Sequence, residues 1–397
     1  MTQVLLCGAA VVTLSMGIRH GFGLWLQPIT MERGWTRETF AFAMAVQNLS
    51  WGLAGPVAGA LADRFGAYRV LLAGGVLYAL GLVLMALSTS GAAFTGSAGV
   101  LLGLAQSGTT YAVIYGVIGR QVDPAKRSWA MGITAAAGSF GQFLMVPVET
   151  WLIGSTGWQT ALFIAAALAL AILPLAFGLR EPMQGSHAPG TAHQSLGAAL
   201  REAFSHPPFL LLTAGYFVCG FQVVFIGAHL PSYVLDKGLT ANTGMLALAL
   251  IGLFNIFGTY GFGLAGGRWS KKKLLAAIYV ARSAVIILFL LAPLSPASVA
   301  IFAATMGLLW LGTVPLTNGL VAQIFGVKYL AMLSGFVFFS HQLGSFLGVW
   351  LGGLVFDRTG AYDIVWMIAI ALGVLAALVN LPVDERPLAR LSAQPAR

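Results

Sequence analysis

Several windows of the sequence contain no Asp, Glu, Lys or Arg, among them 39–62, 70–119, 150–179, 203–235, 238–267 and 283–327. Each is long enough for one or two membrane crossings of about 20 apolar residues. A chain with so much uncharged length folds where lipid replaces water. It is 58% hydrophobic and 8% charged, whereas a soluble domain carries roughly 25% charged residues. No stretch alternates with the period of a barrel strand, so helices must satisfy the backbone. The fold class is therefore an all-α polytopic membrane protein, and its 50 glycines suit close helix packing in lipid. Cys7 and Cys219 lie in separate apolar segments and imply no disulfide framework. The first segment lacks a basic n-region and a small-residue cleavage site, so it is expected to be a retained helix rather than a signal peptide.

Breaking the apolar runs at polar and Gly/Pro punctuation predicts twelve transmembrane helices: 4–27, 39–62, 70–88, 96–119, 128–153, 158–179, 209–235, 243–266, 274–292, 298–322, 330–355 and 361–382. The expected organisation is an N-terminal six-helix bundle (1–179), a polar linker (180–208), a C-terminal six-helix bundle (209–382) and a tail (383–397). Lys and Arg outside the helices fall unevenly. The linker, the tail and the loops on their side hold fifteen (Arg64, Arg69, Arg120, Lys126, Arg127, Arg180, Arg201, Arg268, Lys271 to Lys273, Lys328, Arg386, Arg390 and Arg397), and the opposite loops hold four (Arg33, Arg37, Lys237 and Arg358). This positive-inside bias predicts cytoplasmic termini in an inner, or plasma, membrane. The net charge of +9 is thus a topology signal, and nucleic-acid binding drops out.

A shift of 203 residues superposes the halves in one register. Gly17 falls on Gly220, Pro28 on Pro231, Gly55 on Gly258, Thr110 on Thr313, Gly141 on Gly344 and Thr156-Gly157 on Thr359-Gly360. Two pseudo-symmetric six-helix repeats are the architecture that encloses a central site open alternately to either side.

Residues 59–69, Gly-Ala-Leu-Ala-Asp63-Arg64-Phe-Gly-Ala-Tyr-Arg69, resemble the loop 2–3 signature of the major facilitator superfamily. Arg19 with Gly21-Phe22-Gly23, the Glu32-to-Thr36 loop and Phe356-to-Asp363 resemble its branch of monocarboxylate transporters and oxalate/formate antiporters. The resemblance implies the major facilitator fold, a gating role for Asp63, Arg64 and Arg69, and a cavity lined by helices 1, 4, 7 and 10 with 2, 5, 8 and 11 beside them. Departures are equally specific. Gly103 stands where drug/proton antiporters carry an arginine before Gln106, and their Gly-Pro signature in helix 5 is missing. Asn255 stands near the place where the monocarboxylate branch commonly has an arginine.

Arg19 and His20 sit in the first apolar segment, where a cation facing lipid costs roughly 2.5–3.5 kcal/mol or more. A guanidinium there can hold a carboxylate in a bidentate pair, and the repeat sets Gln222 opposite Arg19. The candidate substrate-binding residues are Arg19, Phe22, Gln106, Thr110, Tyr111, Tyr115, Gln142, Gln222, Asn255, Trp310, Asn318 and His341. The proton-coupling candidates are His341, His20, His229 and Glu149. A packed ring bonded to a backbone carbonyl is the simpler reading of His20 and His229, and a rim position near the end of helix 5 is the simpler reading of Glu149. Arg282 is expected to be structural, bonded between helices. No metal cluster, P-loop or nucleotide fingerprint appears, so no metal or cofactor is expected. No nucleophile, base and orienting acid occur together, so no enzymatic activity is expected.

Two arginines within spans against one acid favour an anionic ligand. The expected function is secondary active transport of a small organic anion, a monocarboxylate, by alternating access, either proton-coupled or by exchange, in a monomer whose other partner is the lipid bilayer. The alternatives are an exporter of an amphiphilic small molecule and a receptor that binds solute without moving it.

Overall fold

The computed structural model describes residues 2–122, 124–180, 196–326 and 330–388; the rest of the linker and of the tail lie outside the described residues. Every regular element among the described residues is a helix.

In the first half the crossings are α1 (Thr2–His20) with α2 (Phe22–Arg33), α3 (Arg37–Phe65), α4 (Ala67–Leu87), a broken fourth crossing, α8 (Pro124–Thr156), and α9 (Trp158–Ala169) with α10 (Ile172–Phe177). The fourth crossing consists of α5 (Gly91–Phe94), a π-helical stretch (Thr95–Leu101), α6 (Leu102–Thr109) and α7 (Tyr111–Gln121). A short amphipathic helix, α11 (Leu196–Phe204), lies within the segment expected to be linker. The second half is α12 (Pro207–Asp236), α13 (Ala241–Arg268), α14 (Lys271–Leu291), α15 (Pro296–Leu309) with α16 (Thr313–Phe325), α17 (Leu330–Thr359) and α18 (Asp363–Asn380).

Eleven helical stretches among the described residues are long and apolar enough to cross a membrane. The second expected crossing, α3, is not one of them, and its middle carries Gln47, Asn48 and Ser50. Its 29 residues still reach about 43 Å at about 1.5 Å per residue.

The sequence repeat reappears as packing. α1 packs on α8 as α12 packs on α17; α4 packs on α9 as α14 packs on α18; α3 packs on α6 as α13 packs on α15. Side-chain bonds repeat as well. Tyr78 donates to Ser15 O (2.8 Å) in the first half and Tyr279 to Gly215 O (2.7 Å) in the second. Ser15 meets Thr109 at 2.9 Å, and Cys219 meets Thr313 at 3.2 Å. The fourth and tenth crossings break at matching places, the fourth at Thr110, whose backbone is extended, and the tenth between Leu309 and Thr313.

The most extensive contacts between the halves are α3 against α17, α8 against α13, and α2 against α12. They are tight toward the end opposite the termini, called the far end below. There a Cβ on Gly353 of α17 would lie 2.6 Å from Ala41 Cβ and 2.8 Å from Arg37 O, and one on Gly23 of α2 would strike the Gly227 carbonyl of α12. Toward the end that carries the termini, Gly55 and Gly59 of α3 and Gly335 of α17 have open space where a side chain would go. The halves meet at the far end and diverge toward the other.

Candidate functional site

The first crossing breaks at Gly21, immediately after Arg19 and His20. His20 turns back on its own helix, Nδ1 lying 2.6 Å from Met16 O. Arg19 instead reaches α3, where its Nη2 donates to Asn48 Oδ1 and its Cζ stands 4.9 Å from the centre of the Trp51 ring. Asn48 and Trp51 are one helical turn apart on α3, so one face of that helix supplies both contacts. Among the described residues no carboxylate pairs with Arg19, and its Nε has no hydrogen-bond partner. A guanidinium held by an amide oxygen and a ring face keeps its charge uncompensated.

From Arg19 two paths cross to the second half. Trp51 meets Phe338 of α17 edge to face (5.3 Å), and Phe338 stacks on His341 (5.9 Å), whose ring also meets Tyr216 of α12 in a tilted contact (5.0 Å). In parallel, Gln342 Nε2 donates to Asn48 O (3.1 Å), while Gln342 Oε1 lies 3.1 Å from His341 Nδ1. Arg19 and His341, far apart in sequence and in different halves, thus face one seam. Trp51 also donates to Thr110 Oγ1 (3.2 Å), which in turn donates to Gln106 O (2.8 Å), so the break in the fourth crossing is tied to the same place. Gln106 is fully buried, and its amide faces the Tyr78 hydroxyl. Tyr111 lies within electrostatic reach of Arg19 and contacts the Tyr115 ring at 5.6 Å.

The other expected site residues sit elsewhere. Gln222 donates to Ala369 O (2.8 Å) and accepts from Arg282 (3.3 Å), which places it inside the second half rather than opposite Arg19. Arg282 is fully buried and donates to Leu309 O and Trp310 O at the break in the tenth crossing, as a structural arginine would. Gln142 donates to Leu248 O (2.9 Å), and Asn255 donates to Ser139 (2.9 Å) while accepting from Leu311 N (3.0 Å). Both are committed to the seam between α8 and α13. Phe22 packs in the first-half core, Trp310 is buried, and Asn318 is half-buried on α16. His229 bonds Val349 O (2.8 Å) and contacts the Tyr362 hydroxyl (3.3 Å). Glu149 is not at an exposed rim: it is fully buried, packed over Gly21, with neither oxygen bonded. The Asp63 side chain lies outside the described residues; Arg64 and Arg69 are exposed. Two surface hollows, one beside Ser88 and Ser97 and one beside Pro147 and Asn242, do not include Arg19.

Sequence reasoning missed Asn48, Trp51, Tyr216 and Gln342. The available signal was the pair of polar and aromatic residues one turn apart in the charge-free window of α3.

Paired helix packing in two repeats, with broken crossings and an arginine at the seam between them, matches a known architecture. The family model described as Major Facilitator Superfamily matches residues 5–346. The chain belongs to the major facilitator superfamily. Within this superfamily it is 29% identical over 376 residues to monocarboxylate transporter 11 of Mus musculus, covering 89% of this chain and 80% of that one. It is 22% identical over 391 residues to the oxalate:formate antiporter of Oxalobacter formigenes, covering 96% and 92%. Among solved structures, a bacterial homologue of the human lysosomal transporter Spinster, in an inward-facing and occupied conformation, superposes with a TM-score of 0.76 at 16% identity, covering 96% of each chain. That likeness shows the fold. The superfamily consists of transporters rather than enzymes, and this chain is a multi-pass membrane transporter.

Proposed function

We propose that the protein is an inner-membrane carrier for a small organic monoanion, a monocarboxylate, that works by alternating access with proton coupling or exchange. The observation that carries this reading is the unpaired guanidinium of Arg19, held against Asn48 and Trp51 at the seam between the halves. It is a mid-membrane cation whose missing partner is a carboxylate. The printed names of the monocarboxylate and oxalate:formate relatives support the same class of solute. The positive-inside bias supports cytoplasmic termini, and with them a conformation that opens inward. The site we assign is Arg19 with Gln106, Tyr111 and His341 as the groups placed to meet the rest of the solute; Gln222, Gln142 and Asn255 are left out because their amides are already bonded.

Counterflow of radiolabelled lactate, pyruvate and formate into proteoliposomes tests the proposal. Uptake of at least one, reduced by roughly tenfold or more in affinity by Arg19→Gln, is expected from the loss of a charge-assisted pair. Arg282→Gln is expected to lower thermal stability, since it releases carbonyls at a helix break, and to leave the affinity of the folded fraction closer to wild type. Movement of neutral or cationic solutes with no effect of carboxylates would overturn the reading.

A further inference from the structure

Glu149 is the buried acid that the substrate site does not use. Its side chain is fully buried in α8, and both carboxylate oxygens lie without a hydrogen-bond partner among the described residues. It fills the space over Gly21, where a Cβ would coincide with the carboxyl group, so the helix break and the acid are built around each other. Of the titratable groups on α1 and α4, Tyr78 lies within electrostatic reach of both Arg19 and Glu149, while Arg19 and His20 immediately precede the Gly21 break. The His20 ring is tied to Met16 O and the Tyr78 hydroxyl to Ser15 O. On α7, Tyr111 faces Arg19. The α9 segment Trp158–Ala169 has no titratable residue, and Tyr260 and Arg268 of α13 lie at its other end. On α2, Glu32 accepts from Trp158 (2.7 Å) and Arg33 donates to Ala86 O, both at the far end.

An ionised carboxylate in such a place would bear its whole desolvation cost with no donor to offset it; the neutral acid would not. We infer that Glu149 is the proton-carrying site of this transporter. It takes up a proton when the far end opens and water reaches the Gly21 break, keeps it while the carboxyl group is buried as in the conformation seen here, and gives it up on the side of the termini once the solute has left Arg19. Hydronium delivers the proton to a carboxylate oxygen and is left as water; on release the proton returns to water.

Resting on the proposal that Arg19 binds the anion, the cycle keeps each moving form neutral. With solute bound, the anion balances Arg19 and Glu149 is protonated. With solute gone, the deprotonated Glu149 balances Arg19, two residues from the break over which the acid lies. One proton then accompanies each monoanion.

Infrared titration of the purified full chain in liposomes, from about pH 5 to about pH 9, tests the charge state without any solute. A carbonyl-stretch band of a protonated buried acid is expected in the wild type at the acid end of the titration, fading toward the alkaline end as the solute-free carrier gives up its proton; it is lost in Glu149→Gln and shifted in Gly21→Ala, which displaces the carboxyl group. No such band in the wild type, or one that persists in Glu149→Gln, overturns the inference. In proteoliposomes with radiolabelled lactate, pyruvate or formate, Glu149→Gln should lose accumulation driven by an acid-outside gradient yet keep counterflow. Wild-type-like accumulation in that variant also overturns it. If the variant loses counterflow as well, the infrared band decides. A wild type that moves none of the three anions while the band titrates counts against the proposed solute class and leaves the assignment of Glu149 standing.

Discussion

A guanidinium inside a membrane protein is defined by what it lacks. Arg282 has two backbone carbonyls and the Gln222 amide, and its charge is spread among fixed dipoles. Arg19 has one amide oxygen and one ring face. The near-isosteric change Asn48→Asp would place a permanent carboxylate on Arg19 and compete with any anion. It is expected to abolish uptake of lactate, pyruvate and formate in proteoliposomes. Asn48→Ser should only weaken it, by roughly tenfold, the equivalent of about 1.4 kcal/mol for one bond to a charged group. Equal uptake by the Asp variant and wild type would mean that the solute does not sit on Arg19. Arg19 was legible in the sequence because a cation in an apolar run has few innocent explanations. Asn48 was not, because uncharged polar residues are common packing groups in membrane helices. Gln222 shows the opposite failure: the repeat gives its register but not the direction of its side chain, which the neighbouring Arg282 captures.

At the scale of elements, the far end is closed by side chains from both halves. Arg37, first residue of α3, forms a two-pronged pair with Asp236 of α12 (2.6 Å for each prong), donates to the Tyr362 hydroxyl (2.7 Å) and lies 3.7 Å over the Phe356 ring. Asp357 of α17 accepts from the backbone N–H groups of Arg37 and Glu38 (3.0 and 2.6 Å), capping α3 across the seam. An exposed pair alone is worth about 0–1 kcal/mol, but here the two prongs, the hydroxyl and the helix cap act on the same interface. Arg37→Gln should therefore populate a state with the far end parted. Spin labels at Met31 and Asn242, exposed positions on opposite halves, should report longer distances, and Asp236→Asn should do the same. Unchanged distances in both variants would show that the pair is not a latch. The sequence pointed instead to Asp63, Arg64 and Arg69, whose spacing resembles a family signature. The Arg37 pair joins positions 199 residues apart and leaves no local pattern.

For the whole molecule, the twelve crossings and the two-fold repeat could be read from charge-free length and a constant shift, because lipid burial and pairwise packing leave periodic marks. Which end is closed left no such mark, since it depends on how closely the halves approach. Glycines show that difference in the structure. Gly353 lets α17 lie against Ala41 and the first turn of α3, whereas Gly335 on the same helix faces open space. Gly353→Ala forces a Cβ into the closed seam, an overpacking worth about 1–3 kcal/mol. If the seam parts during transport, that cost falls only on the closed state, and the equilibrium moves toward the far-end-open form by roughly 5- to 150-fold. Labels at Met31 and Asn242 should then show a longer distance in Gly353→Ala and no change in Gly335→Ala. A fixed seam predicts something different for Gly353→Ala: the same distances with a lower melting temperature. That result would rule out rocking of the halves about the Arg19 site, because a cost borne by every conformation cannot shift the balance between them.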